Sequence, residues 1–277
     1  MDYIEGSFKG VRDLKIYHQA WLPRGEVDAV LLIVHGIGEH SSRYMNVVNH
    51  FVPRGYAVCG FDLPGHGKSG GQREFVRRFT DYTDTLRAFH QMVKRRHADD
   101  PIFLFGHSMG GLIALYYLLD HQSGFKGALL SSPLVKASDS ISPATIVIGK
   151  ILSTLVPRIG LLPLDAEGIC RDPDVVEAYV DDPLVYRGRT PARLAAELLK
   201  AMLHVTAELD RLTLPFIVVQ GGDDKLVDPA GAEILYHGAS SDDKTLKIYD
   251  GLYHEVCNEP ERKQVLQDLE TWLAVRL

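Results

Sequence analysis

Residues 102–119, IFLFGHSMGGLIALYYLL, constrain this chain more than any other stretch. A run rich in apolar and aromatic residues ends at Gly106, and a helix-forming run opens at Met109. Between them lies Gly106-His107-Ser108-Met109-Gly110, a G-x-S-x-G at a strand-to-helix junction. That context distinguishes a nucleophile elbow from an ordinary βα turn that happens to hold Gly and Ser. A serine forced onto a sharp turn needs neighbours without Cβ atoms, so that strand and helix can approach closely. Gly111 extends that clearance, and Ser108 becomes the candidate nucleophile.

A chain of 277 residues has room for one α/β core with an insertion. Three cysteines, Cys59, Cys170 and Cys257, form no C-x-x-C pair and read as free thiols of a reducing compartment. The opening residues MDYIEGSF show neither the basic region nor the apolar core of a signal peptide, so the expectation is a cytoplasmic protein. A net charge of -6 without a basic block excludes nucleic acid as a partner. No apolar run reaches the ~18 residues of a membrane span.

Taken in order, Leu14 to Trp21 alternates weakly and is expected to pair with the first residues as an edge hairpin. Ala29 to Val34 (AVLLIV) is apolar without alternation, as a parallel strand buried on both faces must be. It runs into His35-Gly36-Ile37-Gly38-Glu39-His40 and a helix from about Ser42 to Arg54, followed by the strand Tyr56 to Phe61. This order imitates a dinucleotide fold, but position 41 is Ser where the third glycine belongs. The same loop serves better as an HG-type oxyanion loop, which nominates the backbone amides of Ile37 and Met109. His35 and His40 lack a helical register and a third ligand, so no metal is expected.

Asp62 to Gly71 (DLPGHGKSGG) is a tight turn, with a helix at about Phe75 to Arg96 and a strand at Gly127 to Ser131 after it. Between Pro133 and Leu214 the rhythm breaks, because a crossover normally needs only a dozen or so residues. Ser142-Pro143, Asp172-Pro173 and Thr190-Pro191 read as three helix starts. Ile148, Ile151, Leu152, Leu155 and Ile159, widened by Ile146, Val147 and Val156, form a broad apolar stripe. It packs on the core or lines a lid over an apolar ligand. Phe216 to Gln220 and Thr245 to Tyr249 are the last strands, before a helix at about Pro260 to Arg276.

Serine becomes a nucleophile when a base takes its proton, a task suited to histidine. His107 leaves the elbow in a different direction, whereas His254 lies in a loop after the final strand. Asp223, Asp224 and Asp228 all follow the penultimate strand, and one of them would orient His254. Ser, acid, His is the chain order of an α/β-hydrolase triad.

Five segments carry a resemblance: HGIGEHSSRY (35–44), DLPGHGKSGG (62–71), GHSMGG (106–111), QGGDDKLVD (220–228) and KIYDGLYHEVCNEPER (247–262). In these the chain resembles the bacterial monoacylglycerol lipases of the lysophospholipase-like branch of the α/β-hydrolase superfamily. The resemblance implies an α/β-hydrolase fold: a mostly parallel eight-stranded sheet flanked by helices, with an inserted helical cap. Residues 1–133 and 210–277 would form the core and 134–209 the cap. The triad acid would be Asp224. Glu39, Arg43 and Tyr179 match positions that bind the glycerol head, and Cys257 stands where mammalian members carry a second histidine. Together with Ile148, Ile151, Leu152 and Leu155 these are the expected substrate contacts.

The implied function is cofactor-free hydrolysis of monoacylglycerols to fatty acid and glycerol through an acyl-enzyme. A small lipid ester would be the partner, with transient contact of the cap to a membrane or micelle surface, on a monomer or weak homodimer. A serine at the elbow argues against the dehalogenases and epoxide hydrolases of this fold, which use aspartate there. The rivals are a lysophospholipase or a general short- to medium-chain carboxylesterase and, from another class, a non-catalytic ligand receptor.

Overall fold

The computed structural model describes residues 1–136, 152–163 and 165–277. Ten strands occur among them: β1 (Asp2–Lys9), β2 (Lys15–Leu22), β3 (Ala29–Val34), β4 (Tyr56–Phe61), β5 (Ile102–His107), β6 (Gly127–Ser131), β7 (Gly160–Pro163), β8 (Arg189–Pro191), β9 (Phe216–Gly221) and β10 (Lys244–Tyr249). Eight build one sheet in the order β1-β2-β4-β3-β5-β6-β9-β10. β2 pairs antiparallel with β1 and with β4, and every other pairing is parallel. The edge hairpin and the buried parallel strands expected from the sequence are therefore present.

Why the strands lack alternation is visible in β3. Val30, Leu32 and Val34 join one hydrophobic cluster, and Ala29, Leu31 and Ile33 join another on the opposite face. Side chains alternate across a strand, so apolar layers on both faces demand an unbroken apolar run. Helices α1 (Met45–Phe51) and α7 (Arg262–Ala274) cover the second face through Val47, Val48, Phe51, Val265, Leu269 and Trp272. On the first lie α2 (Thr80–Arg96) and α3 (Met109–His121), with Tyr82, Leu86, Phe89, Leu112 and Leu115 in the core. Each such side chain, fully buried, contributes about 1.5–3 kcal/mol.

The helix expected from Phe75 begins at Thr80 instead. Asp81 accepts the amides of Arg77 (3.0 Å) and Arg78 (3.2 Å) and a bidentate bond from Arg12, which closes a turn just before the helix.

Between β6 and β9 the inserted segment holds the antiparallel pair β7–β8, α4 (Pro173–Asp181) and α5 (Ala192–Ala207). It is thus not purely helical. Asp172 caps α4 through the Asp174 amide with Pro173 in the first turn, as its sequence predicts. Thr190-Pro191 does not start a helix in the same way: both residues belong to β8, and α5 opens at Ala192. Leu194, Leu198, Ala201 and Val205 of α5 belong to the main core. A final helix, α6 (Ala230–Gly238), follows β9.

Ser142-Pro143, Ile146, Val147, Ile148 and Ile151 lie outside the described residues. The remainder of the apolar stripe does not form a buried face: Leu155 is 74% exposed, and Val156 and Ile159 are exposed as well.

The junction of β5 with α3 leaves no room for a side chain at Gly110. An added Cβ on Gly110 would stand 2.1 Å from the Val34 carbonyl oxygen at the end of β3 and 2.5 Å from that of His35, the next residue. Gly110→Ala should therefore cost about 3 kcal/mol or more by urea denaturation. Gly25→Ala, where nothing lies within 4 Å, should stay within about 0.5 kcal/mol of the parent. Equal effects at the two positions would contradict this packing.

Candidate active site

The loops at the carboxyl ends of β3, β5, β9 and β10 converge at one edge of the sheet, where ligands of open α/β folds bind. Register brings the first two together, since Val34 of β3 pairs with Gly106 of β5. Ser108 then turns the chain at φ +54°, ψ -119°, a conformation that costs about 1–3 kcal/mol for a residue with a side chain. Three hydrogen bonds hold it there: its amide donates to Ser131 O (3.0 Å), and its carbonyl accepts Leu112 N (3.2 Å) and Leu134 N (3.0 Å).

His254 Nδ1 donates to Asp224 Oδ2 at 2.8 Å. Asp224 has no exposed side-chain surface. It also accepts Gln220 Nε2 (2.9 Å) and the amides of Leu226 (2.9 Å) and Val227 (3.0 Å). Of the three aspartates Asp224 is the one bonded to His254, whereas Asp223 is exposed and Asp228 pairs with Lys136 at 2.7 Å. Burial pushes the Asp224 carboxyl up, but the charge and hydrogen bond of His254 and the two amides outweigh it, and the group titrates below its usual range. For His254 burial favours the neutral ring, yet Asp224, then Glu255 and Glu39, raise it above its ordinary value. The ionised carboxylate fixes the proton on Nδ1 and leaves Nε2 as the basic nitrogen.

Ser108 and His254 border one cavity of about 120 Å³. Its apolar wall is Ile37, Leu134, Ile169, Leu226 and Val227, and its polar wall includes Glu39, Arg43, Tyr179 and Glu255. The expected apolar contacts are not among these: Leu152 and Leu155 do not border the cavity, Leu155 faces solvent, and Ile148 and Ile151 are outside the described residues. The Met109 amide heads α3, where it has no partner inside the helix. Among the described residues the Ile37 amide donates to no protein group.

Arg43 joins two of these loops. Its Nη1 donates to Glu39 Oε2 (2.9 Å) and Glu255 Oε1 (2.6 Å), and Nη2 to Glu255 Oε2 (2.9 Å). Glu39 in turn accepts the Gly36 amide (2.6 Å) and the Tyr44 hydroxyl (2.7 Å). Although burial opposes its charge, Arg43 and the nearby histidines hold the Glu39 carboxyl down at about 2. The guanidinium lies 4.7 Å from the Tyr179 ring centre, whose hydroxyl is buried without a partner among the described residues. Cys257 sits behind this polar wall, against a void of about 20 Å³ shared with Ser131, and not on the cavity expected for it. Burial pushes its thiol up to about 12.

Two residues escaped the sequence reading. Glu255 follows His254 directly, but its partner Arg43 is 212 positions away, so no local pattern announces the pair. Ser132, at φ +44°, donates to the His254 carbonyl at 2.7 Å and ties the histidine loop to the end of β6. His107 packs on the His254 ring at 4.7 Å between centres, and burial, then His254 itself, brings it down to about 4, so that it is neutral at pH 7.

Over most of its length the chain is similar to known proteins. The family profile described as serine aminopeptidase, S33, matches residues 25–261. The chain is 37% identical over 273 residues to the monoacylglycerol lipase of Mycolicibacterium smegmatis, across 99% of this chain and 98% of that one. It is 34% identical over 264 residues to the monoglyceride lipase of Homo sapiens, across 94% and 87% of the two chains. Among solved structures, the monoacylglycerol lipase of Paleococcus ferrophilus superposes with a TM-score of 0.83 at 27% identity, covering 100% of both chains.

Replacing Arg43 by Met would strand two buried carboxylates. Arg43→Met should lose about 3–5 kcal/mol of stability, and Arg43→Met/Glu255→Gln should recover part of it. Thermal unfolding of the two variants checks this; a single variant within about 1 kcal/mol of the parent would remove the ion cluster from the account.

Proposed function

The chain belongs to the serine aminopeptidase, S33, family of α/β-hydrolases, and within it we propose that this protein is a monoacylglycerol lipase with Ser108 as nucleophile. The observation that carries the reading is His254, bonded to Asp224 at 2.8 Å and bordering the same cavity as a serine held at φ +54°. Ser108 Oγ attacks the ester carbonyl carbon while His254 Nε2 takes its proton, and Asp224 stabilises the cation that results. The amides of Ile37 and Met109 hold the developing oxyanion, aided by the positive end of α3. His254 then gives the proton to the departing glycerol oxygen, which leaves the acyl group on Ser108. A water activated by the same histidine attacks the acyl carbon and releases the fatty acid.

Leu134, Ile169, Leu226 and Val227 suit the start of an acyl chain, and the Glu39, Arg43 and Tyr179 wall suits an alcohol bearing hydroxyls. Arg43 and Glu39 contribute mainly by fixing the two loops, because their charges are already spent on each other and on Glu255. The segment between β6 and β9 acts as the cap. Its exposed Leu155, Val156 and Ile159, beside Arg158, are the surface we assign to transient contact with a lipid aggregate.

Ser108→Ala and His254→Ala should each lose on the order of 10⁶ in kcat, and the double variant little more. Additive losses in steady-state assays would dissolve the triad. Because only neutral His254 accepts the proton, kcat/KM should fall as pH drops through the raised value of that group, above its ordinary 6.5.

Substrate choice is a separate check. Across a panel of one acyl chain, hydrolysis of the monoacylglycerol should exceed that of the triacylglycerol and the lysophospholipid. A lysophospholipid preferred over the monoacylglycerol would transfer the assignment to that neighbouring activity.

A further inference from the structure

Glu74 lies at the seam between core and insertion and has no part in the proton transfers above. It is 3% exposed, and its backbone is left-handed at φ +48°. Its carboxyl makes one side-chain hydrogen bond, from Thr190 Oγ1 of β8 to Oε2 at 3.3 Å, and no ion pair among the described residues. Arg73, its neighbour in the chain, is turned to the Gly67 carbonyl at 2.7 Å. The other carboxyl oxygen faces the oxyanion loop. A Cβ on Gly38 would stand 3.1 Å from Glu74 Oε1, 3.4 Å from the Tyr179 hydroxyl and 3.0 Å from the Tyr186 carbonyl oxygen. The Gly38 carbonyl accepts the Tyr186 amide at 2.8 Å.

Glu74, Tyr179 and Tyr186 thus enclose the residue that follows Ile37. Among the described residues, the titratable groups whose fields couple to Glu74 are the phenols of Tyr82 on α2 and Tyr179 on α4, and neither supplies a positive charge. A carboxylate buried without a cation or several donors is costly, so the acid keeps its proton. Burial pushes Glu74 up to about 8, against a smaller pull from the Thr190 hydroxyl.

We propose that Glu74 is a positioning residue of the oxyanion loop, which packs the Gly38 turn against the inserted segment as an uncharged acid and disturbs that turn when it ionises. The inference rests on the hydrolytic role given above to Ser108 and the Ile37 amide. Ionisation acts in two ways. A negative charge beside the loop opposes the oxyanion, and its need for solvation draws water into the seam.

The test is the pH profile of kcat for a short-chain p-nitrophenyl ester between about pH 6 and pH 9.5, in the parent, Glu74→Gln and Thr190→Val. The parent should lose activity through the titration of Glu74, about tenfold per pH unit once past it. Glu74→Gln, which keeps the shape and cannot ionise, should carry its activity into the alkaline range. Thr190→Val, which removes the one bond favouring the carboxylate, should move the loss to higher pH. A parent without an alkaline loss, or an alkaline loss that persists in Glu74→Gln, would overturn the proposal. Should Glu74→Gln fail to fold, Thr190→Val with an unmoved limb overturns it alone. A parent with no esterase activity would overturn the hydrolase reading and this one with it, whereas the other outcomes leave that reading standing.

Discussion

A guanidinium buried between two carboxylates is the interaction on which the site depends. Removing Arg43, Glu39 and Glu255 from water is expensive, and ion pairs in such places are poor sources of net stability. What the cluster supplies is relative position. Glu39 grips the Gly36 amide at the start of the oxyanion loop, and Glu255 is bonded through the main chain to His254. A bidentate, planar guanidinium therefore sets the distance between the group that would hold the oxyanion and the group that would carry the proton. Salt and solvent screen it little, because the Arg43 and Glu255 side chains are 10% and 7% exposed.

The second constraint is the strained turn at Ser108. Its cost is met by packing that leaves no alternative, with backbone of β3 against Gly110 and Pro133 against Gly111. The two devices are complementary: one fixes the serine within the sheet, the other fixes the loops around it.

Much of this was legible in the sequence, for identifiable reasons. β3, β4 and β6 coincide with the apolar runs read from the chain, because parallel strands buried on both faces leave no competing pattern. Ser108 and His254 stand out because their chemistry is tied to chain order and to strand ends. Asp224 was separable from Asp223 and Asp228 only by resemblance, since all three share a loop and differ in the direction of the side chain. Glu255, Ser132 and Glu74 were illegible: each acts through a partner remote in sequence. The apolar stripe misled in the region that can be described, because helical spacing cannot tell a face that packs inward from one that meets solvent, and Leu155 is on the latter. Thr190-Pro191 misled in a similar way, as a local capping pattern overruled by pairing with β7.

The order of strands in the sheet has a consequence for how the protein comes into being. Ser108 leaves β5, whereas Asp224 and His254 follow β9 and β10, which reach β5 only through β6. The whole inserted segment is made between Ser108 and the other two. Contacts of such separation close late, after the entropy of a long loop has been overcome. With the roles proposed for Ser108, Asp224 and His254, a partly folded chain would therefore carry an elbow without its base or its acid. On that assignment hydrolytic competence would belong to the finished sheet alone, and a molecule still exposing apolar surface would lack it.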